Sequence, residues 1–254
     1  MRALVTNDDG VFSDGIALLT RIAVEAGLDV VVAAPHEERS GASASLTGMG
    51  SDSRLAVTTR SIDGLADVPV YAVKASPALI AFVATRGAFG DPPDLVLSGI
   101  NHGPNTGSAV LHSGTVGAAL TASTHGVVAM AASLATTNPT HWDTAELVVR
   151  DAVRWTMENG RPDSVLNVNI PDVPLDELEG VAAAPLAEFG AVQAEIGDRG
   201  EGFVTVRFDE IVAESDDDSD AGLIGRKWAT VTSLRAPSAV DVDLAALTMT
   251  ISSR

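Results

Sequence analysis

Two adjacent carboxylates follow the first apolar run of this sequence, in the stretch Val5-Thr6-Asn7-Asp8-Asp9-Gly10. No Lys or Arg occurs among residues 3–14, so the charges of Asp8 and Asp9 need another counter-ion. A divalent cation is the obvious candidate, because Mg²⁺ is commonly held by one or two carboxylates. Asn, Asp and Gly are also turn formers, and the tetrapeptide alone leaves an Asx-rich turn open.

Three further polar loops occur where parallel strands should end: residues 35–43, residues 99–107, and residues 112–115, which open a helix of small residues. Ligands of open α/β sheets bind beyond the carboxyl ends of the strands. Oxygen atoms of Asp8, Asp9, Ser40 and Asn101 could therefore hold a hard cation. The turn Ser113-Gly114-Thr115 could bind a phosphate beside it, at a helix N-terminus. Each loop alone is typical of an ordinary turn or cap.

The elements that would position these loops alternate between strands and helices through the first two-thirds of the chain. Continuous Val/Ala/Leu runs indicate strands buried on both faces, at residues 2–6, 29–34, 70–73, 95–98, 127–133 and 165–170. Helical periodicity predicts helices over residues 15–26, 77–88, 114–124 and 144–158, the first capped by Ser13 or Asp14. This βαβ order predicts an α/β fold, a Rossmann-like, doubly wound and mainly parallel sheet with right-handed crossovers.

The pattern changes after Pro171. We expect a Rossmann-like metal- and phosphate-binding core over residues 1–171 and a smaller, β-leaning C-terminal subdomain over residues 172–254. The latter should contain an oligomerisation hairpin and a closing strand at residues 228–234. Residues 209–220 are acidic, and Asp216, Asp218 and Asp220 imitate the start of an EF-hand. Ala221 replaces the glycine such a loop requires, which favours a solvated loop.

Composition limits the other classes of function. The formal charge of −18 argues against a nucleic-acid polymer as partner, although a small phosphorylated ligand remains compatible with it. The absence of Cys excludes thiolate metal sites and a Cys nucleophile. No apolar run reaches the length of a membrane span, and no signal peptide is visible. We expect a cytoplasmic protein without a membrane partner.

The four polar segments together resemble the SurE family, the survival-protein nucleotidases. The matching pieces occur in the family's order and spacing over residues 1 to about 171: Asn7-Asp8-Asp9-Gly10, Arg39-Ser40-Gly41-Ala42-Ser43, Ser98-Gly99-Ile100-Asn101-x-Gly103-x-Asn105 and Ser113-Gly114-Thr115-Val116. The resemblance implies a metal-dependent 5′-nucleotidase that hydrolyses nucleoside 5′-monophosphates, and 3′-monophosphates as a further substrate. It also implies a homodimer or homotetramer with a swapped C-terminal element.

By the same match, one divalent ion per subunit, Mg²⁺ or Mn²⁺ (with Ca²⁺ able to replace it in crystals), would be bound by Asp8, Asp9, Ser40 and Asn101. The phosphate and substrate residues would be Ser43, Asn101, Asn105, Ser113, Gly114 and Thr115. Asp8 and Asp9 would be catalytic. We favour Asp9 for orienting the nucleophilic water. His102 and His112 are candidates for the leaving-group acid, with a solvent-facing or capping role as the alternative for each.

Two segments depart from the family pattern. His36-Glu37 stands where an Asp-Arg pair is usual, and Ala75-Ser76-Pro77-Ala78-Leu79-Ile80 replaces the usual Gly-Thr-Pro-x-Asp-Cys. They keep open a second hypothesis, a paralogue that binds metal and nucleotide with little turnover. Another phosphomonoester or a short polyphosphate is a third possible substrate. Arg39 could meet a phosphate or pair with Glu37 or Glu38. A serine hydrolase is disfavoured, since no Gly-x-Ser-x-Gly elbow occurs.

Overall fold

The structure is a computed structural model of the chain, and it describes residues 1–50, 52–188, 192–200, 202–210 and 218–237. The strands in these residues are β1 Arg2–Thr6, β2 Asp29–Pro35, β3 Val57–Arg60, β4 Val70–Val73, β5 Leu95–His102, β6 Val128–Leu134, β7 Val165–Ile170, β8 Gly180–Ala183, β9 Val192–Gly200, β10 Phe203–Glu210 and β11 Trp228–Leu234. The helices are α1 Asp14–Glu25, α2 Pro77–Ala84, α3 Gly114–Thr124, α4 Trp142–Asn159 and α5 Asp220–Gly225, with short 3₁₀ turns at Gly107–Leu111 and Leu175–Glu177.

Within the described residues, nine strands form one sheet in the order β3-β4-β2-β1-β5-β6-β7-β11-β8. The six strands from β4 to β7 in this order all run parallel. The edge strand β3 is antiparallel to β4, and β11 is antiparallel to β7. The predicted α/β, Rossmann-like fold with a mainly parallel sheet is confirmed.

Helices cover both faces of the sheet. Helices α1 and α4 pack together on one face, and α2 and α3 pack together on the other. The central strands alternate their side chains between two apolar clusters: Val5, for example, points to the α1 side and Leu4 to the α2–α3 side. Burial on both faces explains why these strands read as continuous apolar runs.

Most of the elements that the sequence predicted lie within two residues of their expected bounds, with two informative differences. Helix α2 ends at Ala84 and not at Ala88 as predicted, because Gly87 adopts a φ of +86° and the amide of Ala88 donates to the carbonyl of Val83. A left-handed glycine of this kind closes a helix. Strand β5 continues beyond the predicted Ser98 to His102, through an irregularity in its pairing with β6 between Ser98 and Asn101.

The C-terminal part contributes to the main sheet as well as to a separate hairpin. The closing strand predicted at residues 228–234 is β11, and it pairs with β7 and β8. Strands β9 and β10 form an antiparallel two-stranded sheet of their own, as expected for a hairpin. Its use in oligomer contacts, and the division at residues 171/172, stay predictions. Asp216 and residues 238–254 lie outside the described residues. In the part of the chain that is described, no helix combines the length and apolarity of a membrane span.

Candidate functional site

The carboxylate of Asp8 lies at the end of β1, against the first turn of α3. It is 4% exposed, and its two oxygens accept hydrogen bonds from the amide of Gly114 (3.1 Å) and the hydroxyl of Thr115 (2.5 Å). Burial raises the pKa of Asp8, while the bonds from Thr115 and Gly114 oppose that rise. A helix N-terminus favours a negative charge, so α3 holds this carboxylate in place.

Only glycine fits at the position where α3 approaches Asp8. A Cβ built on Gly114 would lie 2.7 Å from Oδ2 of Asp8 and 2.9 Å from its Cβ. Any larger residue would therefore displace the carboxylate or the helix. Ser113 caps α3, since its hydroxyl oxygen accepts the amide of Val116 at 3.0 Å.

Asp9 has a weaker set of partners. Its Oδ2 accepts one hydrogen bond, from the amide of His102 at 3.2 Å. Burial raises the pKa of Asp9 to about 7, the negative charge of Asp8 adds to the rise, and Glu38 contributes a further increase. In the described part of the chain, no Lys or Arg forms an ion pair with either aspartate.

The donor chemistry fits a hard divalent cation. Buried charges are normally paired or bound to a metal, and here two neighbouring carboxylates lack a basic partner. Arg39, beside Ser40, pairs with Glu37 at 2.9 Å, one of the two arrangements expected for it, and its contact with a phosphate stays a prediction. Among the described residues no cluster of three or more His, Cys, Asp or Glu side chains suits a metal. The expected ligand set therefore depends on neutral oxygens as well as on Asp8 and Asp9.

The two neutral ligands expected from the sequence sit on loops that border these aspartates. Asn101 lies at the end of β5, and its amide nitrogen donates to the carbonyls of His102 (3.2 Å) and Gly103 (2.8 Å). In the described residues its Oδ1 accepts no hydrogen bond, so that oxygen is available as a ligand. Ser40 is exposed and donates to Glu38 at 2.6 Å. Glu38 is thus a carboxylate near the site that the sequence did not single out.

The candidate phosphate residues are mostly occupied by contacts within the protein. The amide of Gly114 and the hydroxyl of Thr115 bind Asp8, and the hydroxyl of Ser43 donates to the carbonyl of Leu111 at 2.6 Å. Ser113 differs, because its hydroxyl accepts a bond but donates none to the described residues. What the structure shows for Gly114 and Thr115 is the positioning of Asp8. Their contact with a phosphate stays a prediction.

Asn105 belongs to a buried network under the loop before α3. Its side-chain amide donates to Ser133 at 2.7 Å, its backbone amide donates to Asn169, and its carbonyl accepts from both Asn167 and Asn169. These bonds tie the loop to β6 and β7. A substrate contact by Asn105 is untested, and its visible role is to anchor the loop.

The histidines lie around this site in different settings. The ring of His102 packs against Trp142 with a centroid distance of 5.7 Å, and its Nε2 is buried without a hydrogen-bond partner in the described residues. His112 is exposed, and its carbonyl accepts the amide of Ser43. A leaving-group role for either one stays a prediction.

The C-terminal part supplies a residue, Asp220, that we expected in a solvated acidic loop, although Asp220-Ala221 is also a faint echo of the family pattern. Asp220 is fully buried, and its carboxylate accepts the amides of Gly107 (3.0 Å), Ala187 (2.8 Å) and Ala221 (2.8 Å). That expectation is wrong for Asp220, because three backbone donors replace its water. Gly107 lies between Asn105 and Ser113, so Asp220 helps to fix the loop leading into α3.

Comparison with known proteins identifies the family. The family model described as "Survival protein SurE" matches residues 3–191. The "5'-nucleotidase SurE" of Aeromonas hydrophila subsp. hydrophila is 40% identical over 187 residues, covering 73% of this chain and 72% of that protein. The "5'-nucleotidase SurE" of Carboxydothermus hydrogenoformans is 34% identical over 239 residues, covering 91% and 89%. The crystal structure of the SurE protein from Aquifex aeolicus superposes with a TM-score of 0.76 at 30% identity, covering 92% of this chain and 93% of that one. With a family model that spans residues 3–191 and relatives that agree with it in sequence and fold over most of their length, this chain belongs to the SurE family.

Proposed function

We propose that this protein is a 5′-nucleotidase that hydrolyses nucleoside 5′-monophosphates, and 3′-monophosphates as a further activity, with one bound Mg²⁺ or Mn²⁺ per subunit. The observation that carries the proposal is the pair Asp8–Asp9 at the end of β1, where a buried and a partly buried carboxylate have no basic partner among the described residues. The names of the relatives, at up to 40% identity with those reported above, support the substrate class.

The ion would be held by Asp8, Asp9, Ser40 and Asn101, and when bound it would polarise a phosphoryl oxygen and acidify a water molecule. The residues of the chain do the rest. Asp8 is locked by Gly114 and Thr115 as a fixed ligand. Asp9, with its single hydrogen bond, is the better choice to orient the attacking water and to accept its proton.

Ser113 is the best placed of the expected phosphate residues. Its oxygen caps α3 while its hydroxyl proton is free to donate to a phosphate oxygen. The dipole of α3 favours an anion at the same end. Preorganised donors of this kind contribute most when charge develops on the transferred phosphoryl group.

The test is phosphate release from a panel of nucleoside 5′- and 3′-monophosphates, with EDTA, Mg²⁺ and Mn²⁺ compared in parallel. We expect the wild-type protein to release phosphate with either ion and to release none in EDTA. The variant Asp9→Asn should release none with either ion. Turnover by Asp9→Asn at the wild-type rate would contradict the assignment of the metal site. Light scattering on the same sample tests the proposed dimer or tetramer.

A second hypothesis, binding of metal and nucleotide with little turnover, is favoured by one observation. Glu37, one of the residues that depart from the family pattern, draws the guanidinium of Arg39 into an ion pair. Folded protein that binds Mn²⁺ and a nucleotide but releases no phosphate would select this alternative. Including other phosphomonoesters and a short polyphosphate in the panel tests the third possible substrate.

A further inference from the structure

One segment of the site, residues 39–49, carries both Ser40 and Ser43, and we call it the Ser40 loop. Its first residue is fixed next to the aspartates, since the amide of Arg39 donates to the carbonyl of Asp8 at 2.7 Å. Its middle is held by the loop before α3, where Ser43 donates its amide to His112 and its hydroxyl to Leu111. The second half of the loop contains Ser45 and Thr47, and the amide of Ser45 donates to the carbonyl of Ala42 at 3.2 Å.

That second half is bound by Ser76, at the start of α2. Ser76 is 1% exposed, and its hydroxyl donates to the carbonyl of Ser45 and accepts the amide of Thr47 at 3.2 Å. Its own amide donates to the carbonyl of Thr47 at 2.8 Å. The same hydroxyl faces the amide of Leu79 at 3.4 Å, as the N-cap of α2. A single side chain thus caps a helix and holds a loop.

Two glycines show how closely the Ser40 loop lies on its supports. Gly48 has a φ of +130°, and a Cβ there would collide with the backbone of Lys74 and Ala75. A Cβ on Gly117 of α3 would lie 2.5 Å from the carbonyl oxygen of Ser43. The loop therefore rests directly on backbone at both places, and a small displacement would break these contacts.

We propose that Ser76 is a positioning residue for the site: by holding Ser45 and Thr47 it keeps the Ser40 loop in the arrangement in which Ser40 and Ser43 bind the ion and the phosphate. The proposal rests on the proposed function for the identity of these ligands. Its structural part, the restraint of the loop by a hydroxyl of α2, stands on the hydrogen bonds alone. It gives a role to the departing segment at residues 75–80, which keeps a hydroxyl where the family usually has Thr.

Loss of the hydroxyl should change binding more than chemistry. When only a fraction of the molecules has the competent loop, the apparent dissociation constant rises by the inverse of that fraction. Removing two hydrogen bonds of about 1 kcal/mol each shifts the loop equilibrium about 30-fold, and this is the upper limit for the rise in the Mn²⁺ dissociation constant and in KM. At saturating metal and substrate the bound loop is restored, so kcat should stay within about twofold.

The experiment compares Ser76→Ala with two matched variants of the same helix. Ser76→Thr restores a hydroxyl. Thr85→Ala removes a hydroxyl that bonds to Phe82 at the other end of α2, away from the loop. Hydrogen exchange of a peptide covering residues 43–49, Mn²⁺ binding by calorimetry, and KM and kcat are measured for each, with a peptide of α4 as the internal reference for exchange.

The expected result is faster exchange of residues 43–49, weaker Mn²⁺ binding and a raised KM in Ser76→Ala, with recovery in Ser76→Thr and none of these changes in Thr85→Ala. Identical behaviour of Ser76→Ala and Thr85→Ala would reduce Ser76 to a helix cap and overturn the proposal. If Ser76→Ala fails to fold, Gly48→Ala displaces the loop while keeping the Ser76 hydroxyl, because its Cβ would press on Lys74 and Ala75, and it must give the same three changes. Should the wild type release no phosphate, exchange and Mn²⁺ binding still test the restraint, separately from the proposed function.

Discussion

Replacing Asp9 by Asn should make the metal-free protein more stable at neutral and alkaline pH, while removing metal-dependent hydrolysis. Burial and the neighbouring Asp8 raise the pKa of Asp9 from 3.8 to about 7. The folded protein therefore keeps the proton that the unfolded chain has already lost, and stability falls as the pH rises from about 4 to about 7. Above that range the loss is complete.

The magnitude follows from the same two values. Each pKa unit corresponds to about 1.36 kcal/mol, so the full difference is about 4 kcal/mol, of which about 2–3 kcal/mol is lost between pH 5 and pH 8. Asparagine imitates the protonated acid and carries no titration. The free energy of unfolding of Asp9→Asn minus that of the wild type should grow by this amount over the same interval.

Urea unfolding in EDTA at pH 5 and pH 8 measures this difference. Asp67→Asn is the control for net charge, because Asp67 is exposed in the turn before β4, at the amino ends of the parallel strands, whereas Asp9 lies at their carboxyl ends. Saturating Mn²⁺ should stabilise the wild type at pH 8 and leave Asp9→Asn unchanged. A gap between the two proteins that is the same at pH 5 and pH 8 would refute the reasoning that burial and Asp8 govern this carboxylate.

Two further substitutions test the supports of the site. Gly114→Ala places a Cβ within 3 Å of Asp8, which should cost about 1–3 kcal/mol of stability. It should also lower kcat/KM about 100-fold, since a displacement of about 1 Å has effects of that size. Wild-type kinetics would show that α3 can shift without moving Asp8. Asp220→Ala leaves the amides of Gly107 and Ala187 without their acceptor and should destabilise the protein by about 3 kcal/mol. Hydrogen exchange at residues 103–113 should become faster. Unchanged exchange there would mean that Asn105 anchors the loop alone.

The parallel strands were predictable because burial on both faces leaves a pattern that the sequence shows directly. Strand β1, for example, coincides with its predicted bounds. The edge strand β3 was missed for the complementary reason, since all of its residues are exposed and no apolar run marks it. Strand β8, at the other edge, alternates between half-buried and exposed residues and contains no fully buried one.

The site was predictable as far as strand ends determine it. The rule for open α/β sheets brought Asp8 and the first turn of α3 together before any coordinates. It could not tell which anion the helix would meet, because a phosphate and a carboxylate suit an N-terminus equally well. Asp220 was missed because its partner Gly107 is 113 residues away in the chain. Only the folded structure reveals that the two residues are in contact.

The different surroundings of the two aspartates suggest how one sequence dipeptide can serve two purposes. Asp8 is held by the amide of Gly114 and the hydroxyl of Thr115, and a carboxylate held by several donors has little freedom to change its position or its partner. Asp9 has one donor, from His102, and is repelled by Asp8 and Glu38. A cation bound between them would lower the energy of Asp9 far more than that of Asp8, because Asp9 has fewer other sources of stabilisation. Among the described residues, Asp8 is therefore fixed by the protein itself, whereas Asp9 keeps most of its hydrogen-bonding capacity for a ligand.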